Sequence, residues 1–269
     1  MAIIPERRPK VAPDKKRKDK LDAFDRLLTI MDELRENCPW DKKQTLDSLR
    51  YLTIEETYEL SDAIIENDLE EVKKELGDLM LHMVFYARIG SEQGRFDVSD
   101  VLNAVCDKLI RRHPHIYADT KADDEETVKA NWEKIKLKEK GNKSVLGGVP
   151  NSLPALVKAM RIQEKARGAG FDWEQKEQVW EKVEEELAEF VRESEQDKRT
   201  NEFGDLLFSL INYARFEGIN PEDALERTNK KFIRRFNYLE ETSKAAGKSL
   251  DTMTLAEMDV YWEEAKNNQ

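Results

Sequence analysis

Two short acidic stretches carry a spacing that chemistry can use. Glu185-Glu186-Leu187-Ala188-Glu189 is followed by Glu202-Phe203-Gly204-Asp205, so Glu186/Glu189 and Glu202/Asp205 each stand three residues apart. On a helix, residues at that spacing share a face. Two such helices running antiparallel bring four carboxylates to one seam, where they repel unless a cation sits among them. Oxygen-only donors suit a hard ion such as Mg²⁺, with Mn²⁺ as the second choice. In a chain that is 38% charged, one such pair alone would read as a solvated helix face. The device, however, occurs twice. Glu55-Glu56-Thr57-Tyr58-Glu59 is followed by Glu75-Leu76-Gly77-Asp78, which gives Glu56/Glu59 and Glu75/Asp78 as a second, weaker candidate metal site.

An ion held by helix carboxylates usually keeps positions open for phosphate oxygens and water, so the site could polarise a phosphoryl group and acidify a water. Cations nearby would take the remaining phosphate charge. Lys182 lies one turn before Glu186, Lys198 one turn before Glu202, and Lys231 and Arg235 share a helix face with Asn229 close by. Trp262 and Trp173 offer faces on which a base could stack, although Trp173 reads rather better as core. The first copy has Leu52 in place of Lys182 and Glu71 in place of Lys198. Glu71 would repel a polyphosphate, so the second copy is expected to be the active one. His82 follows Asp78 by one turn, but Ser209 takes its place in the second copy, which favours a packed core histidine. His113 and His115 flank Pro114 beyond a helix end and read as structural.

The elements that must hold these residues are helices. Apolar stripes at helical spacing predict helices over about 21–35, 45–65, 69–90, 98–112 and 125–140. Residues 141–155 read as a linker, with Gly141-Asn142, Gly147-Gly148 and Pro150 as turn chemistry. The pattern then restarts over 156–168, 183–193 and 202–216. Phe171-Asp172-Trp173 stands near the place of Cys38-Pro39-Trp40, and Lys231-Phe232-Ile233-Arg234-Arg235 matches Lys108-Leu109-Ile110-Arg111-Arg112. No run alternates with the period of a strand. The expected organisation is a basic disordered tail (1–20), an N-terminal helical module (21–140), the linker and a C-terminal module (156–269).

Composition narrows the classes. A net charge of −11 argues against a general nucleic-acid binder, leaving only a weak contact by the basic tail. Two cysteines make neither a disulfide framework nor a zinc site, and no apolar run reaches membrane-spanning length, so a cytoplasmic protein is expected.

Together, Glu-Glu-x-x-Glu followed by Glu-x-x-Asp in both copies, with Cys38-Pro39-Trp40-Asp41 and Arg111-Arg112-His113-Pro114-His115, resembles the MazG family of nucleoside triphosphate pyrophosphohydrolases, two-copy bacterial type. The resemblance implies an all-α fold of tandem helical modules, packed like four-helix bundles and completed by homodimerisation. It implies Mg²⁺-dependent cleavage of (d)NTPs to the monophosphate and pyrophosphate, with broad base tolerance, in nucleotide-pool house-cleaning or stringent-response regulation. It assigns metal roles to Glu186, Glu189, Glu202 and Asp205, and nucleotide contacts to Lys182, Lys198, Lys231, Arg235 and Trp262. Glu185 is a candidate general base or a supporting partner. Two other readings compete with it. A non-catalytic nucleotide- or alarmone-binding module would bind without turnover. A di-iron bundle needs Glu-x-x-His pairs, which none of the histidines supplies.

Overall fold

The computed structural model describes residues 11–122, 124, 127–128, 131–132, 135 and 144–267. Ten α-helices and no strand occur among them. The chain divides into two compact units, residues 1–140 and 141–269. The helix expected over 125–140 lies mostly outside the described residues.

In the first unit, α1 (Arg17–Asn37), α2 (Leu46–Glu66), α3 (Leu69–Glu92), α4 (Val98–Arg112) and the short α5 (Pro114–Tyr117) follow one another. Helix α1 begins inside the stretch expected to be tail. Asp14 accepts from the Lys16 amide at 3.0 Å and from the Lys20 ammonium at 2.8 Å, which satisfies a helix start that the basic composition hid. Thr45 and Ser48 cap α2 reciprocally, each side chain accepting from the other's backbone N–H. Asn67 closes α2 in the left-handed region (φ 58°), and Asp68 caps α3 by accepting from the amides of Glu70 and Glu71. A two-residue connection returns the chain antiparallel, so α2 and α3 form a hairpin with α1 laid on α3. Met31, Leu49, Val84, Phe85 and Ile89 form its core, flanked by Leu27, Leu52 and Leu81.

The second unit repeats the plan with α6 (Ala155–Gly168), α7 (Lys176–Arg192) and α8 (Gln196–Phe216), followed by a second hairpin of α9 (Pro221–Ala245) and α10 (Leu255–Asn267), of which α9 also touches α6 and α8. Helices α7 and α8 each begin about two turns earlier than the apolar stripe indicates. Their first turns are polar, and Gln178 stabilises the start of α7 by accepting from the Gln175 amide at 3.1 Å. Among the described residues of the linker, Val145–Gly148 form a 3₁₀ turn packed against α6.

Buried side chains set the hairpins' inner faces. On α7, Val179, Val183 and Glu186 are buried and stand four and three residues apart, so Glu186 continues the apolar stripe. On α8 the inner face runs Glu202, Leu206, Ser209 at the same spacing, with Leu206 and Ser209 buried. The helices that make the core therefore also deliver the acids, at one end of the same stripe.

A candidate metal and nucleotide site in the second unit

Carboxylate oxygens of Glu186, Glu189 and Glu202 lie within 4.8 Å of one another. Glu186 is only 6% exposed. Asp205 falls outside that tight group but is near enough for its charge to act on Glu202. Burial first, then the charges of Glu189, Asp205, Glu186 and Glu193, raises the Glu202 carboxyl above the ordinary glutamate range. A site built to this strain fits a hard divalent ion: its donors are all oxygen, and no histidine or cysteine belongs to the group.

Lys182 is where the sequence places it. Its ammonium lies 2.7 Å from Glu186 and 3.0 Å from Glu185. Those contacts, with Glu186 foremost, raise its pKa, so it stays charged. Lys198 behaves differently, pairing with Glu195 at 2.6 Å on the preceding turn.

Two depressions flank the acids. On one side a cavity of about 550 Å³ is lined by Lys182, Glu186 and Asp205 together with Phe171, Trp173 and Phe208. Trp173 is 45% exposed, so the core reading suggested by the sequence gives way to a ring available at the cavity wall. On the other side a shallow polar cleft is lined by Glu189, Arg192, Glu193 and Glu202. Neither depression includes Asn229, Lys231, Arg235 or Trp262. Those four sit on the α9–α10 hairpin, where Asn229 donates to Glu226 at 3.1 Å and the Trp262 ring packs 5.0 Å from Phe232.

Sequence reasoning missed Arg192, Gln163, Asn212 and Leu146. Arg192 had a signal, since it follows Glu189 by one turn. The others come together at the cavity because α6 packs on α8 and the linker turn packs on α6, which no local pattern announces.

The first unit gathers Glu56, Glu75 and Asp78 within the same 4.8 Å, with Glu75 1% exposed. Burial first, then Asp78, Glu59 and Glu75, raises the Glu56 carboxyl. Glu71 does not stand there as bare negative charge: Lys74 bridges it at 2.6 Å and Glu75 at 2.9 Å. His82 is buried, with Nδ1 3.0 Å from Thr53 Oγ1, which is itself 2.6 Å from the Tyr86 hydroxyl. Burial lowers its pKa, as befits a packed core histidine. His113 packs 5.0 Å from the ring of Trp132.

Two all-helical modules, each folding an acidic cluster into an antiparallel hairpin, define a tandem carboxylate-hairpin protein. The model of the MazG nucleotide pyrophosphohydrolase domain matches twice, at residues 44–117 and 176–239. The chain is 43% identical to a nucleoside triphosphate pyrophosphohydrolase of Escherichia coli, over 93% of this chain and 99% of that one. It is 44% identical to the nucleoside triphosphate pyrophosphohydrolase/pyrophosphatase MazG of Thermotoga maritima, over 90% and 95%. Similarity to Bacillus subtilis YabN, an uncharacterised protein, is 48% and spans 96% of this chain but 55% of that longer one. The chain belongs to the MazG family.

Proposed function

We propose that this chain is a nucleoside triphosphate pyrophosphohydrolase, cleaving (d)NTPs to the monophosphate and pyrophosphate with broad base tolerance, and that its second unit does the work. The observation that carries the reading is the convergence of Glu186, Glu189 and Glu202 at the rim of a cavity large enough for a nucleoside. Family membership and the names of the relatives support it. Glu186, Glu189, Glu202 and Asp205 would hold Mg²⁺, which supplies Lewis acidity toward phosphoryl oxygens when bound.

In this reading the base and sugar occupy the cavity, and the polyphosphate crosses the acids toward the cleft. Lys182 meets phosphate on the cavity side and Arg192 on the cleft side, each favouring negative charge where it lies. Glu185 is tied to Lys182 and acts as a positioning residue for that ammonium. Lys198 turns from Glu195 to phosphate. Lys231, Arg235, Asn229 and Trp262 are contacts supplied by the α9–α10 hairpin once two copies pair. Exposed apolar side chains on the carboxylate hairpin, namely Leu187, Val191, Phe203, Leu207 and Leu210, support pairing as a homodimer. No helix among the described residues is long and apolar enough to cross a membrane; together with the cysteine usage this supports a cytoplasmic setting.

The test is pyrophosphate release from an NTP panel with Mg²⁺ by the full chain. Glu189→Ala or Asp205→Ala abolishes release, and Glu59→Ala changes it little. Equal losses from both units contradict the assignment of the active copy. A nucleotide that binds and dissociates intact turns the protein into a binding module.

A further inference from the structure

The cavity beside the acids has an unusual floor. Gln163 on α6 is 6% exposed and lines it. Its Nε2 donates to the Phe208 carbonyl at 2.7 Å. That carbonyl can only accept, so the amide orientation is fixed, and Oε1 is the atom left over. Oε1 is buried and has no hydrogen-bond partner among the described residues. An unpaired buried acceptor disfavours folding, and native structures rarely keep one without a use. Asn212 also lines the cavity, and its Oδ1 already accepts from Arg215 Nε at 3.1 Å and Nη2 at 2.8 Å. Its Nδ2 is therefore the group with capacity to spare, and Arg215 is itself anchored by Asp172 at 3.0 Å.

The first unit shows that the fold does not need these polar atoms. The buried position of its first helix is Met31, in the cluster against which Leu81, the counterpart of Phe208, packs. The counterpart of Asn212 is Phe85, and that of Lys182 is Leu52; all belong to or flank one apolar core. The same scaffold closes with hydrocarbon where the second unit keeps an amide, a second amide and an open volume.

We propose that Gln163 reads the nucleobase: its Oε1 accepts a hydrogen bond from an N–H on the base-pairing edge, with Asn212 beside it as donor. This rests on the hydrolase reading and deepens it. Every common base presents at least one N–H on that edge, so a lone acceptor tolerates all of them. It rejects a base with none, because Oε1 then stays unpaired opposite that edge.

The experiment compares ATP with purine riboside triphosphate, which carries hydrogen in place of the 6-amino group and has no N–H on that edge. Pyrophosphate release is measured with the full chain, and binding of both nucleotides is measured calorimetrically without turnover. The unaltered chain is expected to prefer ATP in kcat/KM by about tenfold to a hundredfold. Gln163→Met, which installs the first unit's residue, is expected to bring the two substrates within about twofold, mainly by raising KM for ATP. A merely structural glutamine would lower both equally. That result, or equal use of both nucleotides by the unaltered chain, overturns the proposal, and the second comparison holds even where the variant fails to fold. A chain that binds ATP in preference to the analogue but releases no pyrophosphate keeps the Gln163 assignment and sinks the hydrolase reading. Hydrolysis of both alike does the reverse, and neither binding nor hydrolysis overturns both.

Discussion

Replacing Glu189 by glutamine keeps the shape of the acidic seam and removes one of its charges. A divalent ion about 4 Å from a carboxylate charge is held by ~2 kcal/mol at the dielectric of water, and by about four times that at an effective constant near 20. Glu189 is half-buried and borders an open cleft, so the lower end applies. A loss of about 2–3 kcal/mol corresponds to ~30- to 150-fold weaker binding. The assay is pyrophosphate release against Mg²⁺ concentration, with a parallel Mn²⁺ titration followed by electron paramagnetic resonance. In Glu189→Gln the half-saturating Mg²⁺ concentration rises by that factor. Glu56→Gln removes one charge from the first unit's cluster, which gathers within the same 4.8 Å, and is the control. The reasoning fails if Glu189→Gln leaves the Mg²⁺ dependence where it was, or if Glu56→Gln moves it as far.

Leu49→Ala empties part of the first unit's core, where Leu49 is 1% exposed. It costs about 2–5 kcal/mol of that unit's stability, read by denaturant unfolding, without altering the acids of the second unit. At the start of α10, Glu257 accepts from the Thr254 amide at 2.9 Å and hydroxyl at 3.0 Å, and from the Lys248 ammonium at 3.2 Å. The amide contact first, then Lys248, lowers its carboxyl to about 2. A lowered folded-state pKa means that the stabilisation is fully present above the unfolded value near 4.5 and disappears as pH falls toward 2. An NMR titration of the Glu257 carboxyl is therefore expected to give a midpoint near 2; one at the ordinary glutamate value removes the capping argument.

The acids were legible in the chain because their spacing is a helix period, and helix period survives whatever packs around it. Glu186, Glu189 and Glu202 meet as that period requires. The repeat, too, could be read directly, since it consists of residue types in order. Helix starts were less accessible. The first turns of α7 and α8 are polar and are held by caps and propensity rather than by an apolar stripe, so the stripe alone begins too late. The cavity could not be read at all. Gln163 lies far from Asn212 in sequence and becomes its neighbour on the wall only when α6 crosses α8. Nor could spacing alone reveal that Lys198 would turn back to Glu195, or that Lys74 would neutralise Glu71.

One duplicated hairpin has been given two interiors. In the first unit Met31, Leu49 and Phe85 fill the space between the helices, and that half gains the close packing which a binding hollow forgoes. In the second, the same volume is left to be completed from outside. A nucleotide seated there, as proposed, would contribute part of the cohesion that the sibling unit carries permanently and become, in effect, the missing piece of the second interior.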